Sequence, residues 1–535
     1  MRKVSYVVLF CLAALTSLSS AFATSSYLNL ARQRYPRITG TRLDSCNLCH
    51  TGGSSRGLYG QAYQNSGRNF AAIESQDSDG DGFINLSELN ALTFPGDRND
   101  FTKTNLYFPS VSNTASHFTG FAITNTSSNR ATLVLSAYRS SGQAVPGGAG
   151  VSGYKILEMP AHSQIANLAY ELFGSGLQLD GGWVRLASPH AGVLGFSLNF
   201  DDRLGSLDGT TAPASAPVNL ILPELKSVEI ALVNPSETQT VTANLIPFDD
   251  QGRQQNPLSV QIPANGRYAG RSETLLPSSL IDAGGYLKVS ASGGIVAEES
   301  VDSSGDEVST LGGIDVSGGG LQLYSPQFAA GGNTWRSTLT LINLENSPTS
   351  LTLSFISNDG LELGKSTTID VGANARLVIS DPSVFGLPAV PDNLLEGYVR
   401  IASSATRVAG VVTFGDPADT RFRTSLPCVA QGGTDLVFSQ VAVDDTWFTG
   451  LAAVNANSVP ADVTISVFRT DGSPAATGYS RIEPNSRFSK LLTQLVPNLP
   501  LLGKGYFTVH SSQPLFSFAV FGTQSLSVLS AIPPQ

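Results

Sequence analysis

Leu106-Tyr107-Phe108-Pro109 is the first of four short apolar segments that each end in proline or serine. A repeat spacing of roughly 103 to 114 residues matches the length of a small domain. The chain is therefore predicted to carry four copies of one domain, at 105–217, 218–320, 321–433 and 434–535. The other three segments are Leu220-Ile221-Leu222-Pro223, Leu323-Tyr324-Ser325-Pro326 and Leu436-Val437-Phe438-Ser439.

Each copy carries the same internal landmarks. A strand ends at an asparagine, a turn glycine follows, and alternate side chains before that glycine are apolar, which indicates a half-buried strand. A later Gly-aromatic pair opens another strand, and its aromatic side chain is expected to fill the core of its own copy. The landmarks are Asn125, Asn234, Asn343 and Asn455; Gly142, Gly252, Gly360 and Gly472; Trp183, Tyr286, Tyr398 and Tyr506.

The number of short strands favours one architecture for the copies. About seven strands per ~100 residues are typical of an immunoglobulin-like sandwich, so each copy is predicted to be all-β and immunoglobulin-like. Pro247 interrupts the alternation in the second copy and predicts that its strand is at a sheet edge or bulged. The copies resemble the tandem β-sandwich repeats of bacterial exported proteins, and this resemblance implies no catalytic site.

The region before the repeats begins with an export pattern. Residues 1–23 have the form of a secretory signal peptide, with Arg2 and Lys3 before an apolar core and a small-x-small site at 21–23. No later apolar run approaches the ~18–20 residues of a transmembrane helix. We therefore expect an exported protein without a membrane span in its mature chain, located in the periplasm, secreted or at the cell surface.

Cys46-Asn47-Leu48-Cys49-His50 has the Cys-x-x-Cys-His spacing of c-type haem attachment. Two thiols at this spacing can bond the haem vinyl groups while the adjacent imidazole reaches iron. Cys46 and Cys49 are thus the predicted anchors and His50 the predicted proximal ligand. A local disulfide or half of a zinc site are the alternatives, although zinc needs about four ligands. Cys428 then lacks a disulfide partner and is expected to be a buried free thiol.

Residues 77–88 match the twelve-residue calcium loop D-x-[DN]-x-[DN]-G-x5-E at every defined position. In such a loop alternate acids lead, a glycine turns the chain, position 7 offers its carbonyl, position 9 often acts through water, and a final glutamate binds with two oxygens. An acidic turn without a cation is the alternative. The predicted calcium ligands are Asp77, Asp79, Asp81, Phe83, Asn85 and Glu88.

Together the two motifs define a small α-helical module at 24–104. Over about residues 24–100 it resembles small exported bacterial cytochromes in which a haem motif precedes a calcium loop, and its single loop resembles those of dockerin-like and thrombospondin-type-3-like proteins. The resemblance implies calcium and covalent haem c. Helices are expected at Tyr27–Arg34 and Gly57–Gln64. The sixth iron ligand stays open, because Met159 is expected to pack in a strand and His117 to pack as an aromatic.

Other function classes have little support. A chain with only 14% charged residues and a net charge of −10 is a poor nucleic-acid binder. The G-x-S-x-G match at 53–57 lacks the strand and helix of a nucleophile elbow. Acidic pairs at 201–202, 249–250 and 444–445 are expected to cap turns.

These patterns favour an exported, calcium-binding, c-type-cytochrome-like protein that transfers single electrons or binds haem. Its repeats would serve as a stalk or as a binding surface, and its redox partner or surface ligand is unknown. One alternative is a cell-surface adhesion or scaffold protein with a calcium-stabilised N-terminal module and no redox role. The other is a haem enzyme, such as a peroxidase with an open iron site.

Overall fold

The computed structural model describes residues 23–52, 55–148, 150–303, 306–332, 335–416 and 422–535. The expected signal peptide therefore lies almost wholly outside the described residues, as do two residues of the G-x-S-x-G match. The chain divides into two compact units. The first ends at Asn105 and takes in Thr132–Val134 and Ala187–Ala191, and the second comprises Leu106–Ala131, Leu135–Leu186 and Gly192–Gln535.

The first unit is mainly helical where it is described. Its helices are α1 (Ala23–Arg34), α2 (Leu58–Asn65) and α3 (Asn85–Ala91), with 3-10 turns at Pro36–Ile38, Cys46–Leu48 and Ala71–Ile73. Pro36 stops α1, since a proline inside a helix removes one backbone hydrogen bond and clashes with the preceding turn. Leu92 takes the left-handed conformation (φ 63°) that ends α3.

Aromatic side chains form the core of this unit. Tyr59 and Tyr63 lie one turn apart on α2 and are both buried. Tyr63 stacks on Phe70 with ring centroids 4.0 Å apart, and Tyr35 meets the same ring edge-on at 5.7 Å. The Tyr35 hydroxyl donates to Glu74 at 3.0 Å. The end of α1, the face of α2 and the segment that precedes the acidic loop are thereby packed together.

Antiparallel strands make up most of the remaining chain, and they fall into four successive sets. The first set is β1 (Thr104–Asn113), β2 (His117–Asn125), β3 (Ala131–Tyr138), β4 (Tyr154–Met159), β5 (Gln164–Leu168), β6 (Leu179–Ser188), β7 (Val193–Asp201) and β8 (Leu207–Thr211). The second set is β9 (Asn219–Leu222), β10 (Val228–Val233), β11 (Val241–Asp249), β12 (Leu258–Ile262), β13 (Arg267–Arg271), β14 (Gly285–Ala291), β15 (Val296–Ser303), β16 (Asp306–Gly312) and β17 (Ile314–Asp315).

The last two sets continue the same pattern. The third set is β18 (Gln322–Gly331), β19 (Trp335–Asn343), β20 (Thr349–Ser357), β21 (Thr367–Val371), β22 (Arg376–Ile379), β23 (Leu395–Ser403), β24 (Val408–Gly415) and β25 (Arg423–Pro427). The fourth is β26 (Gly433–Phe438), β27 (Trp447–Val454), β28 (Ala461–Phe468), β29 (Pro474–Ile482), β30 (Arg487–Leu491), β31 (Tyr506–Thr523) and β32 (Leu529–Ile532). Short helices follow the fifth strand of three sets: α4 (Ala169–Phe173), α5 (Ser272–Leu275), α6 (Ser278–Ala283) and α7 (Leu492–Leu495).

Every set pairs its strands in one order. In the second set one sheet runs β12-β11-β14-β9-β17 and the other β13-β10-β15-β16, and their apolar faces share one core. The first and third sets repeat this order, and in the fourth β31 serves as both sixth and seventh strand. An immunoglobulin domain instead pairs its first, second, fifth and fourth strands in one sheet. The predicted β-sandwich architecture is present, and its strand order differs from that of an immunoglobulin domain.

Pro247 lies where the pairing on the β12 side shifts register by one residue, between Leu245↔Leu258 and the bridge Phe248↔Gln254, so the predicted irregularity is present although the strand is not at a sheet edge. Its strand β11 is an interior strand between β12 and β14, and its pairing with β14 runs in unbroken register. The Pro247 carbonyl accepts from Gln255 N at 2.9 Å. Because the N and C=O of one residue point to the same side of a strand, the missing N–H faces the connection before β12 and not the ladder to β14.

The landmark asparagines hold the turns of their own sandwich. Asn455 is fully buried, and its Nδ2 donates to Val459 O at 2.8 Å and to Ile482 O at 3.0 Å. Its Oδ1 accepts from Asn457 N at 3.1 Å. Asn125, Asn234 and Asn343 make the corresponding bonds. An amide is needed because one side chain must donate and accept at once.

Asn455→Ala is expected to lower the free energy of unfolding by about 2–3 kcal/mol, because buried carbonyls lose their donors. Denaturant unfolding of the full chain measures this loss. Asn129→Ala is the control, because the Asn129 side chain is exposed. Equal unfolding free energies for the two variants would contradict the role of the amide.

The four sets contact one another head to tail, and the fourth contacts the first in the same way. In each contact the aromatic of a Gly-aromatic pair donates to the carbonyl of a left-handed turn residue in the next set. The pairs are Trp183 Nε1 to Asn265 O (2.7 Å), Tyr286 Oη to Asn374 O (2.9 Å), Tyr398 Oη to Asn485 O (2.9 Å) and Tyr506 Oη to His162 O (2.7 Å). Within the second unit, the four sets therefore close into a ring.

These aromatics correct the expectation that each fills its own sandwich. Tyr286 clusters with Phe248 of its own set and Ile342 of the next, whereas the adjacent Leu287 enters the sandwich core. Successive side chains of a strand point to opposite faces, so a core leucine places its aromatic neighbour outside. The sequence pattern predicted where each aromatic lies in its strand, but not that it packs against the next copy.

Candidate functional site

The acidic loop folds around its own backbone. Asp77 Oδ1 accepts from Gly80 N at 2.7 Å, and its Oδ2 accepts from Gly82 N at 2.9 Å. Gly82 has φ 101°, a conformation that L side chains rarely adopt, which explains the glycine at the turn. Asp81 Oδ1 accepts from Phe83 N at 2.8 Å. Carboxylate oxygens of Asp77, Asp79 and Asp81 lie within 4.8 Å of one another.

Glu88 of α3 lies close enough for the charges of these aspartates to act on it, although the oxygens within 4.8 Å of one another belong to the three aspartates. The Glu88 side chain is fully buried, and neither carboxylate oxygen has a hydrogen-bond partner. Oδ2 of Asp79 and Oδ2 of Asp81 are also buried without partners. Burial and then the neighbouring aspartates raise the pKa of Glu88 to about 10, and burial with the Asp81 charge raises the pKa of Asp79 to about 6. Unpartnered buried carboxylates are costly, and a cation among them would remove that cost.

Two of the expected calcium ligands, Asn85 and Phe83, have side chains that make other contacts. Asn85 is fully buried, its Nδ2 donates to Ile73 O at 2.7 Å, and its Oδ1 accepts from Ser78 N at 3.3 Å. Its two polar side-chain atoms thus connect the acidic loop to the 3-10 turn at Ala71–Ile73. The Phe83 ring stacks on Phe101 at 6.0 Å. Cation contacts from Asn85 and from the Phe83 carbonyl stay predictions.

The Cys-x-x-Cys-His segment forms a tight turn. The His50 amide donates to Cys46 O at 3.0 Å, and Cys46 and Cys49 are both free thiols, the first exposed and the second partly buried. Burial raises the pKa of Cys49 to about 11. His50 Nδ1 lies 3.2 Å from Ser55 O. Since a carbonyl only accepts, Nδ1 carries the proton and Nε2 is left as a ligand atom.

A pocket opens beside these three side chains. Tyr27 of α1 and Tyr63 of α2 line it, and Arg56 and Arg68 also contribute to its wall. A Cβ at Gly60 would lie 2.2 Å from Cys49 O, so only glycine lets α2 approach the motif this closely. Among the described residues that line the pocket, His50 is the single imidazole and there is no methionine. The donor set, two open thiols and an oriented imidazole, fits covalent haem.

The remaining predicted residues lie in the second unit. Met159 is 1% exposed at the end of β4, in agreement with strand packing. His117 is exposed and lies 2.9 Å from Ser116 Oγ through Nδ1, so the expectation of aromatic packing was wrong. Cys428 is a buried free thiol, and burial raises its pKa to about 12. The first aspartate of each acidic pair caps a turn, as Asp201 does for the amides of Arg203 and Ser206, whereas Asp250 pairs with Arg376 of the third set at 3.1 Å.

Comparisons with known proteins do not place the chain in a family. No family model and no curated protein matches it. Among solved structures, it is similar to Thermotoga maritima 1070 at 14% identity, over 19% of this chain and 94% of that one, with a TM-score of 0.17. The Anabaena sensory rhodopsin transducer is also 14% identical, over 16% of this chain and 82% of that one, with a TM-score of 0.15.

Proposed function

We propose that this protein is an exported haem- and calcium-binding protein whose first unit carries one covalent haem and one calcium ion. Cys46 and Cys49 would hold the haem, and His50 would bind its iron. Bound haem supplies one-electron chemistry at iron. The observation that carries the proposal is the shared pocket: two free thiols and an imidazole whose Nδ1 is fixed by Ser55 O open onto the same space.

The chain's own residues would perform distinct tasks around that group. Ser55 orients the His50 ring, and Gly60 brings α2 against the motif. Arg56 and Arg68 supply positive charge in the pocket wall, which suits a ligand with carboxylate groups. Arg68 holds a left-handed backbone (φ 64°) while its guanidinium lies 5.2 Å from the Tyr27 ring centre.

Calcium would act on the same pocket through the segment that precedes the loop. The side-chain amide of Asn85 donates to Ile73 O, and Leu86 N donates to Glu74 O at 3.0 Å. Glu74 in turn accepts from Tyr35 at 3.0 Å. Because Phe70 of this segment stacks on Tyr63 of the pocket wall, a cation that fixes the loop also fixes that wall.

Export is part of the proposal and rests on residues 1–23. Covalent haem attachment needs reduced thiols and an exported apoprotein, and a small module of this kind gains stability from a covalent group and a metal ion. Among the described helices, none is long and apolar enough to cross a membrane.

An absorption spectrum of protein matured in a host that attaches c-type haem tests the proposal. We expect a Soret band, and α and β bands after dithionite, that remain with the polypeptide after denaturation. The variant with both Cys46→Ala and Cys49→Ala should lose at least ~90% of the bound absorbance, since each of the two thiols supplies one of the two thioether bonds. Cys428→Ala is the matched control and should keep it. A colourless wild-type protein would refute haem attachment.

A scaffold function is the second candidate, and the closed ring favours it. Each contact between neighbouring sandwiches, here called a seam, contains a buried aromatic that donates to the next set. Four sandwiches joined in this way would form a rigid platform for a surface ligand. A redox titration separates the candidates. A reversible potential in the holoprotein supports electron transfer, whereas protein that binds calcium but no haem supports the scaffold.

A further inference from the structure

One carboxylate lies where all four sets meet. The last strands of the sets, β8, β16, β25 and β32, pack against one another in the second unit. Asp208 of β8 accepts from Thr310 N at 2.7 Å through Oδ2 and from Thr424 Oγ1 at 3.0 Å through Oδ1. The Ser530 hydroxyl bonds the same carboxyl and also accepts from Gly209 N at 3.0 Å. Asp208 of the first set is thereby bonded to each of the other three.

Asp208 is shielded from solvent, and two of its neighbours are hydroxyls that can either donate or accept a hydrogen bond. Asp208 is 2% exposed, and Thr310, Thr424 and Ser530 are buried as well. A hydroxyl can donate or accept, so Thr424 and Ser530 can donate to a carboxylate or accept from a carboxylic acid. Both protonation states can therefore be hydrogen-bonded in one geometry. Only the ionised state pays the cost of a buried charge.

We propose that Asp208 makes closure of the ring depend on pH: the four last strands hold together while its carboxyl is protonated and loosen when it ionises. The device is an internal regulator of the platform and does not depend on haem or calcium. The ring is held most tightly at acidic pH, and the contacts between the sets weaken as the pH rises towards 8.

The charge environment supports the direction of this effect. Burial raises the pKa of Asp208 to about 8, and the Thr310, Ser530, Gly209 and Thr424 donors only partly oppose it. On β7, Asn199 is its register partner. On β25, Arg423 precedes Thr424 and acts on Glu299 instead.

The folded and unfolded pKa values of Asp208 set the direction in which pH changes stability. The ordinary pKa of an aspartate is 3.8 and the pKa of Asp208 in the folded chain is raised, so the folded chain keeps a proton that the unfolded chain releases. The stabilisation from this proton is complete below about pH 4 and is lost progressively as the pH rises towards 8.

Asp208→Asn in the full-length protein tests the proposal. The amide can accept from Thr310 N with its oxygen and donate to a hydroxyl with its nitrogen, but it cannot ionise. Hydrogen exchange by mass spectrometry, corrected for intrinsic rates, is followed in β8, β16, β25 and β32 at pH 6 and pH 9. We expect the wild-type protein to exchange at least ~10-fold faster at pH 9, since a tenfold change corresponds to one unit of differential protonation. The variant should lose most of this difference, and the part that stays in β16 is assigned to Glu299, which pairs with Leu311 and whose pKa is raised by burial.

Asp435→Asn is the matched control, because Asp435 is exposed on β26, and it should keep the wild-type pH response. A pH-independent wild type, or a variant that keeps the wild-type response, would overturn the proposal. If Asp208→Asn fails to fold, infrared spectra of wild-type protein with carboxyl-labelled aspartate decide. A protonated aspartic acid at pH 7 supports the proposal, and its absence refutes it.

Discussion

Glu88→Gln is expected to remove most of the stabilisation that the proposed calcium ion would give to the first unit. Glu88 is fully buried, and both of its oxygens lack hydrogen-bond partners, so in the proposed site glutamine would replace a charged bidentate ligand with a neutral one. For the wild-type protein, calcium at a hundred times its dissociation constant would add about 2.7 kcal/mol. We expect the variant to retain less than half of that gain. Thermal unfolding with calcium and with chelator measures both values.

The chelated state provides an internal control. Because the pKa of Glu88 is raised to about 10, its carboxyl is protonated at neutral pH without a cation, and glutamine resembles that neutral form. Wild type and variant should therefore melt alike in chelator. Binding must displace the proton, so calcium should bind more tightly as the pH rises. Glu483→Gln changes an exposed glutamate and should leave the calcium response intact. An unchanged response in Glu88→Gln would exclude the loop as the calcium site.

Arg487→Met is expected to lower the free energy of unfolding by about 3–5 kcal/mol, because it breaks a buried ion pair at one seam of the ring. The Arg487 side chain has no exposed surface. Its Nε donates to Pro326 O at 3.0 Å, and its Nη1 donates to Asn358 Oδ1 at 2.8 Å and to Glu396 Oε1 at 3.1 Å. Methionine fills similar space but leaves these acceptors of the third set without a donor. Urea unfolding of the full chain measures the loss.

Arg481→Met is the matched control. Arg481 is 57% exposed and pairs with exposed Asp462 and Glu483, and exposed pairs contribute at most about 1 kcal/mol. A similar loss in both variants would show that the seam bonds of Arg487 contribute little. The seam that joins the fourth set to the first has Gln164 in the corresponding place, bonded to Ser439 O and Gly505 O without an ion pair.

Local chemistry made parts of the fold predictable. Alternating apolar residues located strands such as β20, and Pro36 fixed the end of α1. The template spacing brought Asp77, Asp79 and Asp81 together, because a twelve-residue loop with glycine at position six has few ways to fold. The same reasoning identified Asn455 as the end of a strand, although not what its amide binds.

Long-range pairing set the limit of prediction from sequence. Strand order depends on which strands meet across the chain, and alternation along one strand carries no information about its neighbour. The carbonyl that accepts from Trp183 belongs to Asn265, 82 positions away in another copy. Asp208 was missed for the same reason, since its three partners are 102 to 322 positions distant, although a lone acid between Leu207 and Gly209 was a signal that it is enclosed.

Closure of the ring also opposes head-to-tail polymerisation. A head-to-tail contact that does not close generates filaments, and open repeat arrays need special capping repeats at both ends to stay soluble. Here the fourth set meets the first through Tyr506 and His162, so the described chain presents no vacant seam to another molecule. Concatenation into fibres would require a seam to open first, and the buried bonds that hold it are therefore also a barrier to polymerisation.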